Sequence, residues 1–291
     1  MSDTITPLES KRVPKPEWLK IKLPSGVEYS DVKKNIKDNR LHTICESGQC
    51  PNQTECWGAG TATLMILGNV CTRSCMFCNV ATGKPENVDI TEPLRVAESV
   101  KLMGLQHVVI TSVDRDDLTD GGAKIWAATI RAIRRHAPGV TMETLIGDFA
   151  GRWENLQQVI DVKPEVVSHN LETVKRLTRE VRVQARYERS IEVLRRLKDG
   201  GIERTKSGIM LGLGETDEEI YEAMDDLRGA GVDILTLGQY LQPTRQHLAV
   251  QRYVSPEQFA EYKKIGVEKG FRYVESGPMV RSSYHAERHM I

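Results

Sequence analysis

The sequence predicts an α/β fold, an open partial (β/α)6 barrel of the TIM type with an extension at each end. Three observations lead there. From residue 61 onward, short β-rich apolar runs alternate with amphipathic stretches of helical period. The runs are continuously apolar, as strands of a parallel sheet covered by helices must be. Six strand–helix units are too few for a full eight-stranded barrel, but they suit a partial one whose active site lies at the C-terminal ends of its strands.

Taken in order, residues 1–26 carry Pro7, Pro14, Pro16 and Pro24 among lysines, with no apolar period. They read as an arm laid over the surface or partly disordered. The basic excess continues through Lys33, Lys34, Lys37 and Arg40, as a solvated face or a docking surface for an acidic protein. Strands are expected at 63–67, 107–113, 141–147, 165–169, 207–213 and 234–240. Helices are expected near 92–103, 122–136, 171–179, 187–199, 217–229 and 256–269.

Composition excludes several classes. Forty basic residues balance forty acidic ones, so no overall field favours nucleic acid or an anionic membrane. No apolar run approaches the length that spans a bilayer. The first residues show no apolar signal core, and their acidic residues argue against a transit peptide, so the cytoplasm is the expected compartment.

The six cysteines all lie between Cys45 and Cys78, a clustering that reads as metal binding and not as disulfides. Cys71, Cys75 and Cys78 have C-x3-C-x2-C spacing directly after the first apolar run. Three thiolates on a tight loop can hold three irons of a cubane and leave the fourth open, as catalytic metal sites require. Zinc would more naturally use paired C-x2-C knuckles and four ligands, and one such triad alone leaves structural zinc or chance open. A second triad, Cys45, Cys50 and Cys56 at C-x4-C-x5-C spacing, is hard to explain without two metal centres.

Other polar groups fall where strands should end. Asp114, Asp116 and Asp117 follow the second strand and could serve a site or cap the next helix. Asn170 and Glu172 follow the fourth, where helix capping is again an alternative. Gly208, Gly212 and Gly214 would permit close backbone approach to a ligand.

Cys71-Thr-Arg-Ser-Cys75-Met-Phe-Cys78, with its aromatic residue before the last cysteine, resembles the signature of radical S-adenosylmethionine (SAM) enzymes. The two triads together resemble the lipoyl synthase family. His42-Thr-Ile-Cys45, Cys50-Pro-Asn, Thr63-Leu-Met-Ile-Leu-Gly68, Gly238-Gln-Tyr-Leu-Gln-Pro243 and Arg281-Ser282-Ser283-Tyr284 agree with it. The similarity covers nearly the whole chain after the arm. Three departures stand out: Val183 follows Arg182 where lipoyl synthases carry proline, and Asn69 and Ser74 are atypical around the first cluster loop.

The resemblance implies insertion of two sulfurs, at C6 and C8, into an octanoyl chain amide-linked to a carrier-protein lysine. It implies two [4Fe-4S] clusters and two SAM per lipoyl group. The Cys71, Cys75 and Cys78 cluster would donate the electron that cleaves SAM. The Cys45, Cys50 and Cys56 cluster, completed by Ser283, would be the sulfur source. Asn170, Glu172 and Arg182 would contact SAM. Implied partners are an octanoylated E2 of a 2-oxoacid dehydrogenase or a glycine cleavage H protein, a flavodoxin or ferredoxin donor, and an iron–sulfur carrier for cluster repair. Nucleic acid and membrane are not among them. On this reading residues 1–60 form the arm and auxiliary-cluster loop, 61–255 the barrel, and 256–291 a helix and a tail that closes the auxiliary cluster. Two alternatives remain: a radical SAM enzyme whose second cluster only relays electrons or anchors a substrate, and a ferredoxin-like carrier or metal-storage protein.

Overall fold

The computed structural model describes residues 14–20 and 27–290. Two short strands, β1 (His42–Thr43) and β2 (Thr63–Ile66), precede the small pair β3 (Val70–Cys71) and β4 (Ala81–Thr82). Then follow β5 (His107–Ser112), β6 (Thr141–Leu145), β7 (Val166–Ser168), β8 (Arg204–Leu211), β9 (Ile234–Gln239) and β10 (Tyr273–Gly277). One sheet runs in the order β1-β2-β5-β6-β7-β8-β9-β10. All its pairings are parallel except that of β1 with β2. Every residue of β2 and of β9 is buried, which is why those runs lack polar alternation.

Helices α1 (Val27–Asp38), α2 (Ile44–Ser47) and α3 (Gln53–Gly58) precede the barrel. Within it lie α4 (Glu92–Leu102), α5 (Ala123–His136), α6 (Trp153–Ile160), α7 (Thr178–Val181), α8 (Tyr187–Asp199), α9 (Asp217–Gly229) and α10 (Pro256–Glu268). Their ends are encoded locally. Thr216 and Glu219 cap α9 reciprocally, and Ser255 caps α10 with Pro256 in its first turn. Helix α5 buries Trp126, Ile130 and Ile133 and carries Arg134, Arg135 and His136 at its C-terminal end, where cations favour the dipole. One apolar core joins Val32 and Ile36 of α1 to Val274 of β10.

Six βα units form the expected partial barrel, with four differences. β10 adds a seventh parallel strand, and β1 an antiparallel edge strand. The helix expected at 171–179 is absent over its first half. Glu172 adopts φ 66°, its N–H donates to Gly208 O (2.9 Å), and its carbonyl accepts from Met210 N (2.9 Å). With the backbone so bonded to β8, only the turn Lys175–Leu177 and the short α7 remain helical. Strand β8 starts at Arg204 and not at 207, because Lys206 is neutralised inside the barrel.

Most of the N-terminal arm, residues 1–13 and 21–26, lies outside the described residues. Between these, Glu17–Leu19 forms a 3-10 turn that buries Leu19. Beyond β10 the chain doubles back. A side chain on Gly238 would collide with the carbonyl of Val280, so glycine is what lets the returning segment pass so close to β9. Asn52 Nδ2 donates to Met279 O (2.7 Å), and Tyr284 OH to Glu55 (3.0 Å), tying the tail to the segment that carries the second cysteine triad. The described residues end in a 3-10 turn, Ala286–Met290. No described helix is long and apolar enough to cross a membrane.

Candidate active site

A cavity of about 540 Å³ opens at the C-terminal ends of the strands. Thr111 and Ser112 of β5, Leu145 of β6, Gly208 of β8 and Gln239 of β9 border it. Met65, Val113, Ile146, Ile209, Leu241 and Val280 give it an apolar wall. Two thiols of the 45/50/56 triad, Cys45 and Cys50, open onto it, as do Cys71, Cys75 and Cys78. Asn170, Glu172, Arg182 and Ser283 complete the rim, so nine of the ten candidate residues meet in one place. Cys56 does not line the cavity, yet its thiol lies near enough to Cys45 and Cys50 to feel their charge.

The Cys71 loop is held from three sides. Cys71 Sγ accepts from Arg73 N (3.4 Å) and Asp114 N (3.3 Å). Arg73, 4% exposed, donates twice to Asp116 (2.7 and 2.8 Å) and once to Asp148 (2.7 Å). Met76 donates its N–H to Val181 O (2.9 Å) and accepts from Leu248 N (3.2 Å). His247 Nε2 lies 3.0 Å from Cys78 O, which can only accept, so that nitrogen donates and Nδ1 accepts from Thr244.

The acidic run after β5 therefore positions the loop. Capping of α5 falls to Asp120, which accepts from Gly122 N and Lys124 N. Burial disfavours the Asp148 carboxylate, but the Arg73 guanidinium outweighs it and holds the pKa at about 2. Sequence reading missed Arg73, Asp148 and His247. The signal for Arg73 was a cation inside the cysteine loop together with an acidic run, Asp114 to Asp117, that carries only one cation of its own.

Burial pushes the Cys75 thiol up to about 12 and Cys78 to about 11. Cys45 rises to about 11 for the same reason, and Cys56 to about 12 by burial and the charges of Cys45 and Cys50. Thiols that oppose each other's ionisation become good ligands when a cationic centre replaces their protons. Among the described residues no three His, Cys, Asp or Glu side chains converge as a single-ion site needs. A cubane offers separate iron corners, so its ligands need not converge on a point. The donor set thus fits iron–sulfur clusters at both triads.

The other cavity groups have unmet needs. Glu172 is desolvated, and burial raises its pKa against the influence of Arg182 and Asn170. Asn170 Nδ2 donates to Ser282 Oγ (2.6 Å) and Glu172 Oε1 (3.0 Å), while its buried Oδ1 has no partner. Arg182 Nη1 is committed to Asn170 O (2.9 Å), Leu171 O (3.2 Å) and Ser190 Oγ (3.2 Å), so it braces the Asn170–Glu172 turn. A Cβ on Gly208 would sit 2.6 Å from Thr236 Oγ1 and 3.1 Å from Asn170 Oδ1, so glycine keeps that wall open. Val183 is 45% exposed and off the cavity, and the departure there falls on the surface. Ser74 is likewise exposed, and its N–H donates to Gln184 Oε1 (3.3 Å).

Comparison with known proteins fits this geometry. The family model described as the radical SAM superfamily matches residues 65–227, and that for the N-terminal domain of lipoyl synthase matches 4–50. The chain is 64% identical over 279 residues to the mitochondrial lipoyl synthase of Nematostella vectensis, covering 96% of each chain. It is 61% identical over 286 residues to the lipoyl synthase of Flavobacterium johnsoniae, covering 98% of this chain and 99% of that one. Among solved structures, Streptococcus suis SuiB bound to its precursor peptide SuiA superposes with a TM-score of 0.60 at 13% identity. That match covers 85% of this chain and 52% of SuiB, and it bears on the fold alone.

Proposed function

The chain belongs to the lipoyl synthase family of the radical SAM superfamily, a sulfurtransferase of lipoyl cofactor biosynthesis that acts on a lipoyl protein, and from this premise we propose how its residues divide the work. The reaction assigned to it is sulfur insertion at C6 and C8 of a protein-bound octanoyl-lysine. Cys71, Cys75 and Cys78 hold the [4Fe-4S] cluster that the family requires. Cys45, Cys50, Cys56 and Ser283 hold a second one. When bound, the first supplies the electron that cleaves SAM to methionine and a 5′-deoxyadenosyl radical, and the second supplies sulfur, with two SAM used per lipoyl group.

The protein's part is placement. Glu172 offers a desolvated carboxylate that the SAM ammonium would neutralise, and the orphaned Asn170 Oδ1 offers an acceptor. Arg182 fixes that turn through backbone carbonyls. Arg73, Asp116 and Asp148 fix the Cys71 loop. The apolar wall suits an octanoyl chain and excludes water from a reactive carbon. Neither target C–H bond is acidic, so no side-chain base could remove its hydrogen.

A single observation carries the proposal: five cysteines, drawn from both triads, open onto one cavity with an apolar wall. The carriers proposed are an octanoylated 2-oxoacid dehydrogenase E2 or glycine cleavage H protein. Flavodoxin or ferredoxin is proposed as the reductant, an iron–sulfur carrier for rebuilding the second cluster, and the cytoplasm as the compartment. The test contrasts the triads. Cys75→Ala should abolish SAM cleavage, whereas Cys50→Ala should leave cleavage and prevent sulfur insertion. Equal loss of both activities in both variants, with the other cluster shown intact by its spectrum, would refute the division.

A further inference from the structure

Beneath the cavity the barrel contains charges that the reaction does not use. Lys206 of β8 and Glu143 of β6 are both 0% exposed. Lys206 Nζ lies 2.9 Å from each Glu143 oxygen, and Ser168 Oγ donates to Oε1 (2.8 Å). Side chains two apart on a strand share a face. Lys206 is therefore one layer below Gly208, and Glu143 one layer below Leu145, both of which border the cavity. The ion pair is the floor under the active site.

His289, from the final turn of the chain, reaches this floor. It is 0% exposed, and its Nδ1 lies 3.5 Å from Lys206 Nζ. An ammonium can only donate, so His289 Nδ1 accepts and its proton sits on Nε2. His107 of β5 is ordered in the opposite sense. Thr141 Oγ1 donates to Gln106 O (3.2 Å) and so accepts from His107 Nδ1 (2.9 Å), leaving His107 Nε2 as an acceptor. Both Nε2 atoms are buried without a partner, one a donor and the other an acceptor. Burial, then Lys206, then His107 push the His289 pKa down to about 3, so the ring is neutral at physiological pH, as the acceptor role requires.

The same tail presents Ser282 to Asn170 (2.6 Å) and Ser283 to Thr63 (2.8 Å) at the cavity rim. We propose that His289 is a positioning residue: docked on the Lys206–Glu143 pair, it latches the C-terminal tail inside the barrel and so holds Ser283 at the Cys45 triad. The consequence for the auxiliary cluster rests on the reading of Ser283 as its fourth ligand. The latch explains why a fully buried lysine–carboxylate pair lies on the face that points into the lumen, where apolar residues would pack as well. It also lets a short tail hold its place in a barrel that must admit substrate.

Anaerobically reconstituted full-length protein tests this with His289→Leu, which cannot accept from Lys206, and His289→Asn, whose amide oxygen can. In His289→Leu, amide exchange across 280–289 should quicken about tenfold or more, as loss of a hydrogen bond to a charged group produces. Its auxiliary-cluster Mössbauer spectrum should shift to that of Ser283→Ala, and product should fall about tenfold while SAM cleavage persists, showing that the barrel is intact. His289→Asn should recover tail protection and spectrum together. Parent-like exchange in His289→Leu, or no recovery in His289→Asn, overturns the latch. A loosened tail with a parent-like auxiliary spectrum overturns instead the reading of Ser283 as a ligand.

Discussion

Thr63 Oγ1 stands 2.8 Å from Ser283 Oγ, joining the first barrel strand to a residue 220 positions later in the chain. The Thr63 backbone also favours the ionised form of the Cys45 thiol, against the burial that raises its pKa. One residue of β2 therefore bonds the serine proposed to complete the second triad's ligand set and bears on the ionisation of a cysteine of that triad.

A serine oxygen is a harder ligand than thiolate and poorly matched to an iron–sulfur centre, so it can leave as sulfide is surrendered. Ser283→Cys should keep the auxiliary iron, measured by iron and sulfide content, while product formation falls about tenfold or more. Ser282→Ala should be milder. Thr63→Val removes a hydroxyl donor to an oxygen that, as the proposed iron ligand, would be an alkoxide, an interaction of about 1.5–3 kcal/mol. Its iron content should stay at the parent value while product formation drops. An unchanged rate in both Ser283→Cys and Thr63→Val would remove Ser283 from the ligand set.

Asp148 is 1% exposed and accepts from Arg73 (2.7 Å) and from Arg189 (3.1 Å). Breaking a buried pair costs about 3–5 kcal/mol, but Arg73 keeps Asp116, so Asp148→Asn should loosen the Cys71 loop without unfolding the barrel. SAM cleavage should fall at least about tenfold, with the auxiliary-cluster spectrum unaltered. Parent rates of SAM cleavage in Asp148→Asn would show that the loop needs no such support.

The cysteine spacings and the strand–helix alternation were legible because each is written locally. Two adjacent groups of three thiols point to two metal centres, and β9 is buried throughout with apolar Ile234, Leu235 and Leu237. β10 was not legible, since Tyr273–Gly277 buries only Val274 and carries Glu275, Ser276 and Gly277. Glu172 was read as opening a helix because its pairing with β8 depends on residues nearly forty positions away. The floor of the barrel was hidden for a related reason. Lys206, Glu143 and His289 look like solvent-facing residues until the fold brings opposite charges together. Placement of the ten candidate residues was legible only as chemistry, not as geometry.

His169 is buried and neutral, with Nδ1 donating to Ile146 O (2.9 Å) and Nε2 accepting from Ser190 (2.9 Å). Burial, then the Arg182 guanidinium, lower its pKa to about 4 from an ordinary 6.5. Between those values the unfolded chain binds the extra proton, so stability is full above pH 6.5 and falls as pH drops toward 4, by roughly 3 kcal/mol at most. His169→Gln, which has no proton to gain, should show a smaller drop in Tm between pH 7.5 and pH 5 than the parent. Identical drops would assign the acid sensitivity to other groups.

The central claim is that the cluster on one triad would drive radical chemistry and the cluster on the other would give up its sulfide. An anaerobic single turnover on an octanoyl-lysine peptide tests it directly, using protein whose auxiliary cluster carries isotopically heavy sulfide. The account predicts two 5′-deoxyadenosines per lipoyl group, heavy sulfur at both new positions, and loss of the auxiliary-cluster signal while the Cys71 cluster persists. A lipoyl product with light sulfur, formed while the auxiliary cluster stays whole, would contradict it.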